Sequence, residues 1–333
     1  MEQTKTELLN VDHLVKQFAV QRSLLGKPTV LLNAVSDVNL TVYKGEVLGV
    51  VGESGCGKST LGRTILQLEK PTSGHVYYNG QDLTALSGEQ LRQMRRKLQI
   101  IFQDPYASLN PRMTIKELIS APLEAFQIGT KEEREQRVLH MMQLVGLDES
   151  YLYRYPHEFS GGQRQRIVIA RALILRPEFV VCDEPVSALD VSVRSQVLNL
   201  MKQLQKELDL TCIFISHDLS VIKYICNRIA VMYLGHLVEL ADKDELYERP
   251  AHPYTKALLD AIPIPEANRS KQHTTLSGDV PSPINPPSGC VFHTRCPYAQ
   301  ERCSCEVPEL RASVDGKRFC ACHRAHELDP VQF

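Results

Sequence analysis

What this sequence lacks narrows it before any motif is read. Lys and Arg number 38 against 39 Asp and Glu, a formal net charge of −1. No whole-molecule field is therefore available to hold a nucleic acid. No uninterrupted apolar run approaches the ~18–20 residues of a membrane span, so a soluble or peripheral chain is expected. The first residues, MEQTKTELLNVDHLVKQF, carry acids and no apolar centre, so they are not read as a secretory signal. There is no long internal repeat and no heptad run. Ten cysteines are present but no C-x-x-C pair, which disfavours a zinc ribbon or finger.

What is present has the size and composition of a globular protein. The 333 residues can hold one large domain with a smaller one, and 43% are hydrophobic, enough for a core. TVLLNAVSDVNLTVYKGEVLGVVG mixes alternating and continuous β-branched runs and reads as strands. KSTLGRTILQLEK, which follows a glycine-rich stretch, has helical spacing. GHVYYNGQDL reads as a hairpin turning at Asn79-Gly80, and residues 131–145 as a helix. FVVCDE and TCIFISHD are short apolar runs ending in polar residues, as at the ends of buried parallel strands. Strands alternating with helices predict an α/β parallel sheet with ligands at the strands' carboxyl ends. After about residue 262 the composition turns to Pro, Ser and Asn in IPIPEANRSKQHTT and SGDVPSPINPPSG, which reads as linker and loop.

The chemistry begins at GESGCGKS, Gly52 to Ser59, which fits G-x-x-x-x-G-K-[ST]. Such glycines let successive N–H groups face phosphate oxygens, and the following helix adds its positive end. Lys58 is placed to reach the outer phosphates and the Ser59 hydroxyl to bind Mg²⁺. The expected ligand is a nucleoside triphosphate. Asp183, closing FVVCD, suits the metal shell. Glu184, one residue further, is placed to orient or deprotonate an attacking water. His217 and Gln103 also follow apolar runs and are further candidates. Ser160, Gly161 and Gly162 precede a helix and form a second anion-binding N-terminus.

FSGGQRQRIVIARAL, residues 159–173, resembles the signature of the ATP-binding-cassette (ABC) ATPases and is not shared by phosphate-loop enzymes generally. The phosphate loop, Gln103, the signature, Asp183-Glu184, SALD (187–190) and His217 occur in that family's order. The likeness implies an α/β phosphate-loop fold with a mixed parallel core sheet, an antiparallel β subdomain and a helical signature subdomain. It divides the chain into a nucleotide-binding domain, 7–250, and a small irregular extension, 251–333. ATP and Mg²⁺ are the implied ligands. The nucleotide contacts would be Phe18 (stacked on adenine), Gly52, Glu53, Ser54, Gly55, Cys56, Gly57, Lys58, Ser59, Thr60 and Gln103. Mg²⁺ would lie on Ser59, Gln103 and Asp183. Glu184 and His217 would be catalytic. Ser160, Gly161, Gly162 and Gln163 would touch ATP held by a second cassette, and Ser187 and Asp190 would lie at the dimer loop.

IFQDPYASLNPRMTIKELI, HPYTKALLDAIP and PSPINPPSGCVFHTRCP narrow the resemblance to the cassettes of bacterial peptide and nickel importers. The F-type ATPase of oligopeptide importers is most similar, with the dipeptide counterpart next, and the VQRSLLGKPTVLLNAV insert favours that type. This implies a D-type cassette as heterodimer partner, two membrane permeases, a separate peptide-binding protein and no nucleic acid. It also implies a peripheral position on the cytoplasmic face of the inner membrane. The YASLNPRMT stretch would face the permease.

Six cysteines, Cys290, Cys296, Cys303, Cys305, Cys320 and Cys322, crowd into 33 residues. Thiolates on loops at irregular spacing are compatible with a [4Fe–4S] cluster; zinc and no metal are the alternatives. The extension of peptide-importer cassettes implies the set Cys290, Cys296, Cys303 and Cys322, with Cys320 a rival fourth ligand and Cys305 extra.

Overall fold

The computed structural model describes residues 6–23, 28–262 and 278–328. Most of the IPIPEANRSKQHTT linker and residues 24–27 of the insert lie outside the described residues. The strands, in chain order, are β1 (Glu7–Arg22), β2 (Pro28–Tyr43), β3 (Val47–Val51), β4 (Ser73–Tyr78), β5 (Gln81–Asp82), β6 (Leu98–Ile101), β7 (Phe179–Asp183), β8 (Thr211–Ile215), β9 (Arg228–Tyr233), β10 (His236–Asp242), β11 (Arg311–Ala312) and β12 (Phe319–Cys320). Packing divides the chain into two compact units, Met1–Val42 with Val47–Ala85 and Ser216–Phe333, and Tyr43–Glu46 with Leu86–Ile215. In this division residues after 251 form no unit of their own.

The first unit holds a four-stranded sheet in the order β2-β1-β4-β5, in which β1 and β4, and β4 and β5, pair antiparallel. Leu9 lies opposite Tyr78 and Val11 opposite Val76, and all four are buried. The alternation of the β1 sequence puts them on one face. The hairpin turns at Asn79 (φ 47°) and Gly80 (φ 76°), the paired left-handed conformation that an Asn-Gly turn favours. The unit's other strands follow in the order β11-β12-β10-β9-β3. β3 and β9 are parallel, with Val51 beside Val231, and β9 and β10 are antiparallel. Every residue of β3 is buried, as a continuous apolar run with both faces covered must be.

The second unit holds β6, β7 and β8, all parallel, with Ile100 beside Val181 and Val181 beside Ile213. β7 and β8 are buried throughout. The helix expected over 131–145 spans Lys131–Leu144. Thr130 starts it with a capping box: its hydroxyl accepts from the Glu133 N–H and its own N–H is accepted by the Glu133 carboxylate, which satisfies two of the unpaired groups at a helix start. Gly161–Leu173 and Val191–Glu207 are the unit's other long helices, and the first of them carries the signature.

Candidate active site

The phosphate loop leaves β3 and enters the helix Lys58–Ile65. Gly52, Gly55 and Gly57 all have positive φ, at 152°, 78° and 103°. Gly57 is the helix's N-cap and no side chain caps that end, so its N–H groups suit an anion. The Lys58 side chain is buried and its Nζ donates to the Gly52 and Glu53 carbonyls, each at 2.8 Å. The ammonium therefore lies folded against the loop that it serves. Ser54 and Gly55 are exposed at the crest. The Cys56 thiol is buried, which pushes its pKa up and keeps it protonated. Phe18 is half-buried on β1, with the Lys16 ammonium 4.7 Å from its ring centre.

In the second unit β7 delivers Asp183, buried to 1% exposure, and then Glu184. Glu184 has φ 46°, a left-handed conformation that costs a non-glycine residue ~1 kcal/mol or more and gathers at functional sites. Its N–H donates to the Ile215 carbonyl at 3.0 Å. Its carboxylate accepts from Gln103 Nε2 at 3.0 Å. The two candidates, 81 residues apart in sequence, are thus in direct contact. Ser187 Oγ donates to the Glu184 carbonyl at 3.0 Å, which ties the dimer-loop candidate to the same turn, and Asp190 begins the helix Val191–Glu207. His217, exposed, belongs to the first unit and stands one residue before Asp218, whose carboxylate caps the helix Leu219–Ile225.

The signature residues have local structural work as well. Ser160 is the N-cap of Gly161–Leu173, accepting from the Gln163 N–H, while the Gln163 side chain accepts from the Ser160 N–H. A Cβ on Gly162 would lie 2.3 Å from Val193 Cγ1, so only glycine lets this helix start so close to its neighbour. Further along the same helix, the Arg164 guanidinium stacks 4.1 Å from the Tyr106 ring centre. Arg171 donates to the Ser108 carbonyl. Tyr106 is 65% exposed. The YASLNPRMT stretch is therefore fastened to the signature helix.

All ten cysteines are free thiols. Cys290, Cys296, Cys303 and Cys322 line one small pocket, with Phe292 and His252 in its wall. Burial pushes the Cys290 thiol up to about 11 and Cys322 up to about 12. Cys320 does not line the cavity: it is buried in β12, in register with Glu239 of β10. Cys305 is exposed. Among the described residues no three His, Cys, Asp or Glu side chains converge on a point that would hold a single metal ion.

Sequence reasoning missed two residues that touch the phosphate loop. The Tyr254 hydroxyl accepts the Glu53 N–H at 2.8 Å, and Arg295 forks onto the Glu53 carboxylate at 2.7 and 3.1 Å. They are 201 and 242 residues from Glu53. HPYTKALLDAIP does contain the local signal for the first. His252 Nδ1 accepts from the Tyr254 N–H at 3.1 Å and Pro253 takes the first helical position, so His-Pro-Tyr is a helix start that aims a tyrosine. His252 is completely buried, which drives its pKa down to about 3 and keeps it neutral.

A family model described as ABC transporter matches residues 35–187. Another, described as the C-terminal region of oligopeptide/dipeptide transporters, matches residues 238–303. The oligopeptide transport ATP-binding protein AppF of Bacillus subtilis (strain 168) is 50% identical over 319 residues, covering 95% of this chain and 97% of its own. Among solved structures, the dimeric post-hydrolysis state of the cassette MJ0796 bound to ADP and Pi superposes with a TM-score of 0.63 at 30% identity. That match covers 71% of this chain and 99% of the other. The cbiO1 protein of Clostridium perfringens, part of the ABC transporter complex cbiONQ, also gives 0.63, at 26% identity over 73% of this chain and 92% of its own.

Proposed function

The chain belongs to the ATP-binding-cassette transporter ATPases, and from that premise we propose that it powers oligopeptide import through a bacterial membrane transporter. Its fold is that of the phosphate-loop cassettes, and ATP hydrolysis is its reaction. The observation that carries the substrate class is the match of residues 238–303 to the C-terminal region of oligopeptide and dipeptide transporters, together with 50% identity to AppF across 95% of the chain. We keep 7–250 as the cassette and 251–333 as the extension.

We assign each site residue a role. The Lys58 ammonium, now on two loop carbonyls, exchanges them for the outer phosphates. The loop from Gly52 through Thr60 cradles the triphosphate, and Phe18 stacks on the base. Ser59, Gln103 and Asp183 supply hydroxyl, amide and carboxylate oxygens, a hard donor set that suits Mg²⁺. Bound there, Mg²⁺ neutralises charge on the phosphate oxygens. Gln103 gives its amide N–H to Glu184, which leaves its carbonyl oxygen for the ion. Glu184 orients the attacking water, and His217 contacts the terminal phosphate. Ser160, Gly161, Gly162 and Gln163 receive the ATP of a second cassette, with Ser187 and Asp190 at the contact between the two.

That second cassette is a related D-type subunit, and the pair works beneath two permeases served by a peptide-binding protein. Among the described residues no helix is long and apolar enough to cross a membrane. We assign membrane attachment to the permeases, at the cytoplasmic face. The permease contact lies at YASLNPRMT. Its attachment through Tyr106 and Ser108 to the signature helix carries movement at one end to the other.

The test is uptake of labelled di-, tri- and pentapeptides and of nickel by cells lacking the gene. Loss of the longer peptides, restored by the wild-type chain and not by Glu184→Gln, is expected. Loss of nickel alone, or unchanged uptake of the longer peptides, removes the oligopeptide reading.

The thiol cavity we assign to a [4Fe–4S] cluster held by Cys290, Cys296, Cys303 and Cys322; when bound, it cross-links the loops that carry its ligands. Protein purified without oxygen should contain about four iron and four acid-labile sulfide per chain. Cys322→Ser should lose both and Cys305→Ser should keep them. Absence of iron and sulfide from the wild-type protein rejects the assignment.

A further inference from the structure

The contacts on Glu53 make the carboxyl-terminal extension part of the nucleotide site. The Gly52–Glu53 peptide is held at both ends. Its carbonyl accepts from Lys58 Nζ and its N–H donates to the Tyr254 hydroxyl, each at 2.8 Å. The Glu53 carboxylate is held separately by the two-pronged Arg295 guanidinium. That guanidinium is 5% exposed, against 24% for the Glu53 side chain, and its Nη1 also reaches the Tyr233 hydroxyl at 3.3 Å. A forked pair of this kind fixes direction as well as charge.

The holders are themselves packed hard. Tyr233, Tyr254 and Phe292 meet ring to ring, with centres 4.7 to 5.3 Å apart, and His252 adds a fourth ring 5.8 Å from Phe292. Tyr233 closes β9, Tyr254 is the second residue of the helix Pro253–Asp260 and Phe292 precedes Arg295 by three residues. This aromatic knot belongs to the same compact unit as the phosphate loop, and it leaves Tyr254 and Arg295 few alternative positions.

Charge gives the arrangement its purpose. A carboxylate in a loop that must receive a triphosphate opposes its own ligand. Arg295 neutralises that carboxylate from the side, and Tyr254 sets the rotation of the peptide from which it hangs. We propose that Tyr254 and Arg295 are positioning residues for ATP binding: they hold Glu53, and through it the start of the phosphate loop, in the conformation that accepts phosphate. The proposal rests on residues 52–59 being that loop. It does not depend on what the thiol cavity holds.

The test is titration of the full chain with a fluorescent ATP analogue and Mg²⁺, beside the melting of the same variants without nucleotide. Tyr254→Phe keeps the ring in the knot and removes only the acceptor, leaving the Glu53 N–H unpaired. It should weaken binding about fivefold, and Arg295→Met about tenfold. Arg295→Lys should recover part of the loss. Glu53→Gln should remove most of the penalty of Arg295→Met, because no unpaired carboxylate then faces the phosphates. A role confined to folding would lower the melting temperature without this dependence on Glu53. Affinity within twofold of wild type for both Tyr254→Phe and Arg295→Met, measured where both are folded, overturns the proposal. So does a double variant whose losses simply multiply. Lys58→Ala must abolish binding in the same assay; its failure to do so would instead remove the phosphate-loop reading.

Discussion

Glu184→Gln should lower ATP turnover by ~10³-fold while ATP binding is retained, since a positioned base contributes roughly 10²–10⁴. The substitution keeps the shape and removes the charge. In the structure the Glu184 carboxylate accepts from Gln103 Nε2, and a glutamine carbonyl can accept the same bond. The left-handed backbone at 184 is unchanged by the side chain. Folding and nucleotide binding should therefore survive, and only the ability to orient and take a proton from water is lost. Steady-state phosphate release and nucleotide titration on the same preparation separate the two. A variant turning over at more than a tenth of the wild-type rate would move the base elsewhere, and one that no longer binds ATP would make Glu184 a binding residue. Gln103→Glu places a like charge beside Glu184 and should also slow turnover, by a smaller factor.

Gly57→Ala should weaken ATP binding by more than ~100-fold, equivalent to ~2.7 kcal/mol, and should lower the melting temperature as well. The residue has φ 103°, a region that L-residues rarely enter. An added Cβ would lie 1.9 Å from the Ala34 carbonyl oxygen, which is backbone of β2 and cannot rotate away as a side chain would. The turn would have to open at the point where the helix Lys58–Ile65 presents its N–H groups. Gly55→Ala is the matched control. It also has positive φ, at 78°, but nothing lies within 4 Å of its Cβ position, so only the backbone penalty of ~1 kcal/mol remains. Equal losses from the two changes would mean that φ alone matters and that the contact with Ala34 gives way. Calorimetric melting together with nucleotide titration reads both quantities.

Much of this protein could be read without coordinates because its signals are local. The phosphate loop is eight consecutive residues between an apolar strand and an amphipathic helix. The turn at Asn79-Gly80, the helix started by Thr130 and the buried runs of β3, β7 and β8 follow from side-chain period and from which residues tolerate positive φ. The candidates Asp183 and Glu184 stood out for the same reason: polar residues close an apolar strand. The crowding of six cysteines was equally visible, but spacing left Cys320 and Cys322 as rivals. In the tertiary structure strand pairing sets Cys320 opposite Glu239, while Cys322 lines the pocket with Cys290, Cys296 and Cys303.

What only the tertiary structure decided are the contacts between distant parts of the chain. Gln103 meets Glu184 across 81 residues, Arg164 of the signature meets Tyr106, and Arg295 meets Glu53 across 242 residues. No periodicity encodes such pairs. A local pattern reports the preferences of neighbouring residues, whose cost is set by the backbone between them. A distant pair forms only after burial of the core has brought two segments together, and its partner is chosen by shape and charge at that late stage. The sequence by itself therefore determined the family and the fold, and it pointed to residues 52–59 as the proposed place of the nucleotide. The packing decided that Tyr254 and Arg295, both beyond residue 250, contact Glu53 of that loop.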